Sequence, residues 1–293
     1  MRDRIARHLP GVLMGLLLLP LAAASAPGQR TLRTIGRDLG HGIGDMLYVW
    51  SSPVRADRYD WLDAALVGGA VLLFVPADWG AQRWMVEHPS SVVMDAIDPF
   101  REGRKPALVD LGSPKQLLPL AGALYVVGFV ADSRAIRDAA VGCTSAQQAQ
   151  AGIQTVALHI VQRERPLTAD GDPYDMGWGV GPWERHSFYS GHMSTIMSCV
   201  TYWNERFHMG WVEPALYTLA VGIGLGRMAD QRHWASDIAA GTVLGYAVGR
   251  TVGRRARRRA DQAQNEATKT GVLDGAYLST GAGGVTAGWR RAF

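Results

Sequence analysis

One short stretch, residues 227–237, combines a cation, an imidazole and a carboxylate directly before an apolar segment. If the chain is helical from Ser236 onward, His233 and Asp237 lie four residues apart on one face. The carboxylate can then accept the proton of one imidazole nitrogen and leave the other free as a nucleophile or base. Arg227 adds a planar, permanent charge that suits phosphate or carboxylate oxygens. Taken alone, the stretch equally fits an ordinary helix start, where an Asp in the first turn is favourable.

Two upstream clusters carry related chemistry. One is Arg165-Pro166 and the other is Ser190-Gly191-His192, and each lies at an end of an apolar segment. Two arginines, a glycine amide at a helix N-terminus and a serine hydroxyl together form a cradle for an anion. Two histidines add a nucleophile and an acid. This set meets the needs of in-line phosphoryl transfer without a metal.

The elements that must position these clusters are helices. Apolar residues recur at helical spacing or in uninterrupted runs. The predicted helical segments are 63–77, 117–131, 134–163, 193–202, 212–226 and 238–252. If consecutive helices alternate in direction, the three clusters meet at one side. The sequence therefore predicts an all-α bundle of about six core helices with the active site at one end.

The last of these segments carries a glycine every four residues, which predicts a smooth face for close helix packing. These residues are Gly241, Gly245, Gly249 and Gly253. An arginine-rich run follows at 250–259, as at the cytoplasmic end of a membrane span or at a solvated helix end.

The N-terminus is typical of export. Basic residues precede a leucine-rich segment at 11–21, and small residues follow at 22–26. We expect a signal peptide over 1–26 rather than an uncleaved anchor, because the apolar segment is short for a span. The remaining expected divisions are a leader at 27–60, broken by glycines, a helical domain at 61–255 and a polar, Gly-rich tail at 256–293. In an exported protein Cys143 and Cys199 can pair, although two buried thiols fit their apolar surroundings as well.

The three clusters resemble the motifs of the phosphatidic acid phosphatase type 2 superfamily, which includes bacterial class A acid phosphatases and vanadium haloperoxidases. The family pattern is Lys-x6-Arg-Pro, then Pro-Ser-Gly-His, then Ser-Arg-x5-His-x3-Asp. The chain matches it with Arg165-Pro166, Tyr189-Ser190-Gly191-His192 and Gly226-Arg227-x5-His233-x3-Asp237.

The resemblance implies a role for each matching residue. His233 is expected to be the nucleophile that forms a phosphohistidine, with Asp237 holding and polarising it. His192 is expected to protonate the leaving alkoxide and then to activate water. The phosphoryl oxygens are expected to bind Arg165, Arg227, Ser190 and the Gly191 amide.

The chain departs from the family pattern most clearly at Leu158, where the family has its lysine. One charge-assisted contact to phosphate is missing there, worth on the order of 1.5–3 kcal/mol. His159 and Arg163 lie on other faces of the same helix and are not expected to replace it. Arg163 is expected to pair with neighbouring residues.

The predicted function is a metal-independent phosphatase for a phosphorylated lipid or polyprenyl diphosphate at the cytoplasmic membrane, with its site facing the periplasm. Two alternatives stay open within the same site: a soluble periplasmic acid phosphatase for small phosphate esters, and a vanadate-dependent peroxidase. A third is an envelope protein that binds lipid headgroups but lost activity with the lysine. No zinc-ligand spacing, phosphate loop or dinucleotide fingerprint occurs, so neither metal nor cofactor is expected. The net charge is +4, and much of the excess of basic residues lies at the N-terminus and at 250–259. This clustering argues against a nucleic-acid partner.

Overall fold

The computed structural model describes residues 28–105, 108–168, 172–179, 186–269, 275–281 and 284–290. The expected signal peptide, at 1–26, lies outside these residues. The chain divides into two compact units, Met1–Arg37 and Asp38–Phe293. The described part of the first unit is helical, and the second contains the helical bundle.

The described chain is almost entirely α-helical, which confirms the predicted all-α fold. Short 3-10 helices lie at Asp98–Phe100 and Leu108–Gly112. The α-helices are α1 (Gly28–Trp50), α2 (Ser52–Arg55), α3 (Arg58–Leu72), α4 (Val75–Glu87), α5 (Val92–Ile97), α6 (Pro114–Val130), α7 (Arg134–Val161), α8 (Gly191–Phe207), α9 (Val212–Ala229) and α10 (Ala235–Lys269). A two-stranded antiparallel hairpin, β1 (Gly275–Gly281) and β2 (Gly284–Arg290), follows in the tail.

Helix α8 lies at the centre of the bundle and packs against α7, α9 and α10. Its buried apolar side chains, Met193, Ile196, Met197 and Val200, form a core with Ile223 of α9. Because α8 is buried on several sides, the residues at its N-terminus are fixed relative to the ends of its neighbours. The helix begins with Ser190 as N-cap, whose hydroxyl accepts a hydrogen bond from the Met193 amide.

The glycine stripe of α10 packs against the α8 backbone, as predicted. A Cβ atom at Gly241 would lie 2.7 Å from the Ser190 carbonyl oxygen, and one at Gly245 would lie 2.6 Å from that of Ser194. Only glycine permits this approach, which brings the start of α10 beside the start of α8.

The cysteine question is resolved in favour of a disulfide. Cys143 of α7 and Cys199 of α8 are bonded, with their Cα atoms 4.6 Å apart. The bridge ties two core helices together near the middle of α8. Disulfides of this kind are typical of proteins that fold outside the cytosol.

Two helix predictions were wrong in detail. The glycines at 36–44 were expected to break any long helix, yet α1 runs from Gly28 to Trp50. At Gly42, a Cβ atom would lie 2.9 Å from the Ser145 hydroxyl of α7, so this glycine allows close packing. Helix α7 ends at Val161, two residues before the predicted end at residue 163, because Gln162 adopts a left-handed conformation with φ of 46°.

The arginine run extends α10 beyond residue 255, where the predicted domain ends. Arg255 and Arg259 pair with the buried Asp45 of α1 at 2.8 and 2.6 Å. Arg250, Arg254 and Arg257 pair with Glu205 of α8. These arginines therefore bind the helix to the bundle and are not simply solvated.

Exposed apolar side chains follow α3 and continue into the turn before α4. None of the α3 residues is buried, and Leu66, Leu72 and Leu73 are among the most exposed. Within the described residues, Arg58–Glu87 is long and apolar enough to cross a membrane. Length and composition alone are weak evidence for a span, and α6 is apolar but shorter.

Candidate active site

The three clusters meet where α7 ends and where α8 and α10 begin. The Ser190 amide donates a hydrogen bond of 3.1 Å to the Asp237 carbonyl oxygen, which joins the starts of α8 and α10. Arg165 follows the end of α7, and Arg227 lies in the last turn of α9. The charges of Arg165 and Arg227 both act on His233. The structure thus brings the predicted residues together at one end of the bundle.

His233 is held in a single orientation by the backbone. The residue is 4% exposed, and its Nδ1 donates to the Ser187 carbonyl oxygen at 2.8 Å. A carbonyl can only accept, so the proton is on Nδ1 and the lone pair is on Nε2. Burial lowers the pKa of His233 well below its usual value, and the charges of Arg227 and Arg165 lower it further. The ring is therefore neutral at neutral pH, as a nucleophile must be.

Asp237 does not make the direct contact with His233 that the sequence suggested. Its Oδ2 is 4.0 Å from Nδ1 of His233. That oxygen instead accepts from the Ser187 hydroxyl at 2.5 Å and from the Trp234 amide at 2.9 Å. The reason is that Ser187 lies between them. Its hydroxyl donates to the Asp237 carboxylate, and its carbonyl oxygen accepts from the His233 imidazole. Asp237 thus orients His233 through Ser187.

A buried arginine completes this arrangement. Arg163 is 1% exposed, and its Nη1 donates to Oδ1 of Asp237 at 2.7 Å. Its Nη2 donates to Oδ2 of Asp78, also at 2.7 Å. Asp78 comes from α4 and in turn accepts from the amide and hydroxyl of Ser236, at 2.8 and 2.5 Å.

The roles of Arg163 and Asp78 were missed in the sequence. Arg163 was expected to pair with neighbours, yet its carboxylate partners come from two distant helices. A usable signal was present, because Asp78 is the first charged residue after the uncharged run 64–77 of the apolar stretch Arg58–Glu87. A charged side chain within an apolar segment usually has a specific partner.

Arg232, which the sequence did not single out, lies near the two arginines expected in the anion cradle. Burial lowers the pKa of the Arg165 guanidinium, and the charges of Arg232 and Arg227 lower it further, so three guanidiniums lie near one another. Arg227 is buried, and no residue that the structure describes forms a hydrogen bond with its Nε. The first amides of α8, at Gly191 and His192, belong to the turn that has no intrahelical acceptor.

His192 stands at the start of α8 beside these arginines. Burial lowers its pKa to about 4, and the charges of Arg227 and Arg165 contribute to the shift. The imidazole is therefore neutral while no anion is bound. A phosphate dianion between the arginines would favour the protonated form, because an opposite charge raises a histidine pKa.

The three departures from the motif pattern have different surroundings. Gln154 of α7 donates to the Tyr189 carbonyl oxygen at 3.0 Å, and Leu158, one turn later, shares its face. That face points toward the start of α8 but supplies no charge. Tyr189 is fully buried, and its hydroxyl donates to the Gln150 carbonyl oxygen at 3.0 Å. At Gly226, a Cβ atom would collide with the Phe100 carbonyl oxygen.

An open cavity of about 460 Å³ adjoins the site. It is lined by Glu164, Arg165, Leu167, Thr168, His186 and Arg232. His186 lies in the wall of this cavity together with the cradle residue Arg165. In the described part of the chain, no three His, Cys, Asp or Glu side chains are arranged to hold a metal ion.

Comparison with known proteins agrees with the geometry. Residues 141–260 match the family model of the PAP2 superfamily, which confirms the resemblance seen in the three motifs. A lipid A 1-phosphatase from Porphyromonas gingivalis is 36% identical over 62 residues. That match covers 20% of this chain and 14% of the relative, so the chain spans only a small part of its length. No solved structure matches the chain.

Proposed function

We propose, from the match of residues 141–260 to the PAP2 superfamily model, that this chain is a metal-independent phosphatase acting on a lipid phosphate. The observation that carries the proposal is the state of His233. It is buried and neutral, Ser187 fixes its tautomer, and the positive charges of Arg227 and Arg165 act on it. This is the arrangement of a nitrogen nucleophile beside an anion site.

The first step is transfer of the phosphoryl group to His233. The lone pair of Nε2 attacks phosphorus, and the bond between phosphorus and the ester oxygen breaks. Arg165, Arg227 and the amide of Gly191 bind the equatorial oxygens, while the Ser190 hydroxyl can donate to one of them. Asp237, acting through Ser187, stabilises the positive charge that forms on the imidazole.

His192 donates a proton in the first step and accepts one in the second. With phosphate bound, its pKa rises from about 4, and it can give a proton to the leaving alkoxide. The neutral imidazole then takes a proton from water as the water oxygen attacks the phosphohistidine. The bond between phosphorus and Nε2 breaks, orthophosphate leaves, and His233 is restored.

A lipid substrate is supported by three independent features. The apolar surface of α3 is exposed along its length. Leu167, Tyr174 and Trp178 are exposed on the segment that follows α7, and Leu167 lines the cavity. The relative that matches is a lipid A 1-phosphatase. We place the protein at the cytoplasmic membrane with its site in the periplasm, where the Cys143–Cys199 disulfide is stable.

The test is phosphate release from a phosphorylated lipid and from a chromogenic phosphate ester, in detergent with a chelator present. We expect turnover of the lipid that is lost in His233→Ala. His208→Ala is the matched control, because His208 caps the opposite end of the 17-residue α8, roughly 25 Å away. Turnover that survives His233→Ala would refute the mechanism. Binding of lipid phosphate without turnover would favour the headgroup-binding alternative, and release by an alkaline carbonate wash would favour the soluble acid phosphatase.

A further inference from the structure

A carboxylate of the protein itself faces the anion cradle. Oε2 of Glu102 lies 3.4 Å from Nη1 of Arg227, and 3.3 and 3.2 Å from Nε and Nη2 of Arg232. Two guanidiniums therefore converge on one anionic oxygen. These arginines also lower the pKa of Glu102, against the opposing effect of burial.

The chain segment that carries Glu102 is fixed against α9. The Glu102 amide donates to Asp230 at 2.7 Å, and Nε of Arg101 donates to the same carboxylate at 3.1 Å. The Phe100 ring lies over Gly222, and the Phe100 carbonyl lies over Gly226. A serine at 226, as in the family pattern, would collide with this backbone. The glycine that departs from the motif thus makes room for the segment that delivers Glu102.

The second departure concerns charge. Leu158 removes one cation from the expected cradle, yet Arg232 adds another beside Arg165 and Arg227. Arg232 directly precedes His233, lines the cavity with Arg165, and keeps 34% of its side chain exposed. Such exposure leaves it able to turn toward a ligand.

We propose that Arg232 is a third phosphate-binding residue, which supplies the charge missing at Leu158, and that Glu102 occupies the phosphate position until substrate displaces it. This inference rests on the proposed function and names a further part of the same site. The Glu102 side chain is 54% exposed, so a rotation into solvent is enough to clear the cradle. Two arginines share one oxygen of Glu102 in the way that they would share a phosphoryl oxygen of a bound phosphate.

The competing explanation is that Arg232 merely pairs with Glu102 on the surface. The two explanations differ once Glu102 is neutralised. If Arg232 only serves the ion pair, it has no further effect after Glu102→Gln. If it binds phosphate, its loss weakens phosphate binding most clearly in that background.

The experiment measures binding of inorganic phosphate by calorimetry to the full chain in detergent, and hydrolysis of a phosphorylated lipid in parallel. We expect Glu102→Gln to bind phosphate about tenfold more tightly than the unchanged protein. Adding Arg232→Gln should weaken binding by about tenfold or more, whereas Arg232→Lys should retain part of it. Arg104→Gln is the control, since Arg104 is on the same segment but pairs with Asp98.

The outcomes separate the two proposals. If Glu102→Gln and the double variant with Arg232→Gln bind phosphate equally, the role of Arg232 is wrong while the phosphatase assignment stands. If Glu102→Gln does not tighten binding, Glu102 is not a competitor for the site. If neither the unchanged protein nor any variant binds phosphate or hydrolyses the lipid, the proposed function itself fails.

Discussion

Replacing Arg163 with glutamine should separate its structural from its functional contribution. The substitution leaves two buried carboxylates, Asp78 and Asp237, without their shared cation. Removing one partner of a buried ion pair costs about 3–5 kcal/mol of unfolding free energy. For a chain of this size, about 4 kcal/mol corresponds to a fall in Tm of roughly 8–16 °C.

Activity should fall as well, because Arg163 holds the carboxylate that orients His233 through Ser187. We expect kcat for a phosphate ester to drop in the folded fraction of Arg163→Gln, measured well below its Tm. The matched control is Arg137→Gln, which breaks the buried pair with Asp38 (3.0 Å apart). It should lower Tm comparably but leave kcat unchanged.

The reasoning would be refuted if Arg163→Gln melted within about 2 °C of the unchanged protein, or if Arg137→Gln lowered kcat as much. A double-mutant cycle with Asp78→Asn sharpens the test. Because the two side chains are in contact, their effects on unfolding free energy should not add. Additive effects would mean that the 2.7 Å pair contributes no coupling.

Three further predictions concern single features of the site and the bundle. Leu158→Lys should tighten binding of inorganic phosphate by about tenfold, measured by calorimetry, because it restores a cation on the face toward α8; unchanged affinity would contradict that placement. The pKa of His192 is about 4 when folded and 6.5 when unfolded, so the unfolded chain binds more protons between these values. Protonation linked to His192 should therefore lower unfolding free energy by about 3 kcal/mol as pH drops from 6.5 toward 4. Urea titrations at successive pH values should show a smaller pH dependence in His192→Gln, with the part due to His233 remaining. The Cys143–Cys199 disulfide closes a loop with a sequence separation of 56, so its reduction should lower unfolding free energy by about 4 kcal/mol. As a control, a Cys143→Ser/Cys199→Ser variant should melt at the same temperature with or without reductant.

The helical frame could be predicted because its signals are local. Apolar periodicity located α7 to α10, and the glycines of α10 predicted a face for close helix packing, which the structure places against α8. The ends of helices were less accurate, since they depend on single backbone conformations such as that of Gln162. Whether Cys143 and Cys199 pair depends on how α7 packs on α8, which no local pattern reveals.

The candidate site could be predicted only where its residues form a motif. His233, His192, Arg165 and Arg227 were singled out because they match the family motifs. The network around Asp237 could not be predicted, because Arg163 binds Asp237 from the segment after α7, and Asp78 of α4 in turn binds Arg163, with no motif that links the three. Ser187 was also hidden, since it acts on His233 through a backbone carbonyl, which any residue type can supply.

Trapping the covalent intermediate tests the central claim most directly. The full chain in detergent would be mixed with a phosphorylated lipid, quenched in alkali within milliseconds, and digested for mass spectrometry under conditions that preserve phosphohistidine. A phosphoryl group on His233 is the predicted result. With a chromogenic phosphate ester, whose leaving group needs no proton, the intermediate should accumulate in His192→Gln because water is activated more slowly. Phosphate release with no phosphorylated His233 in either protein would contradict the account.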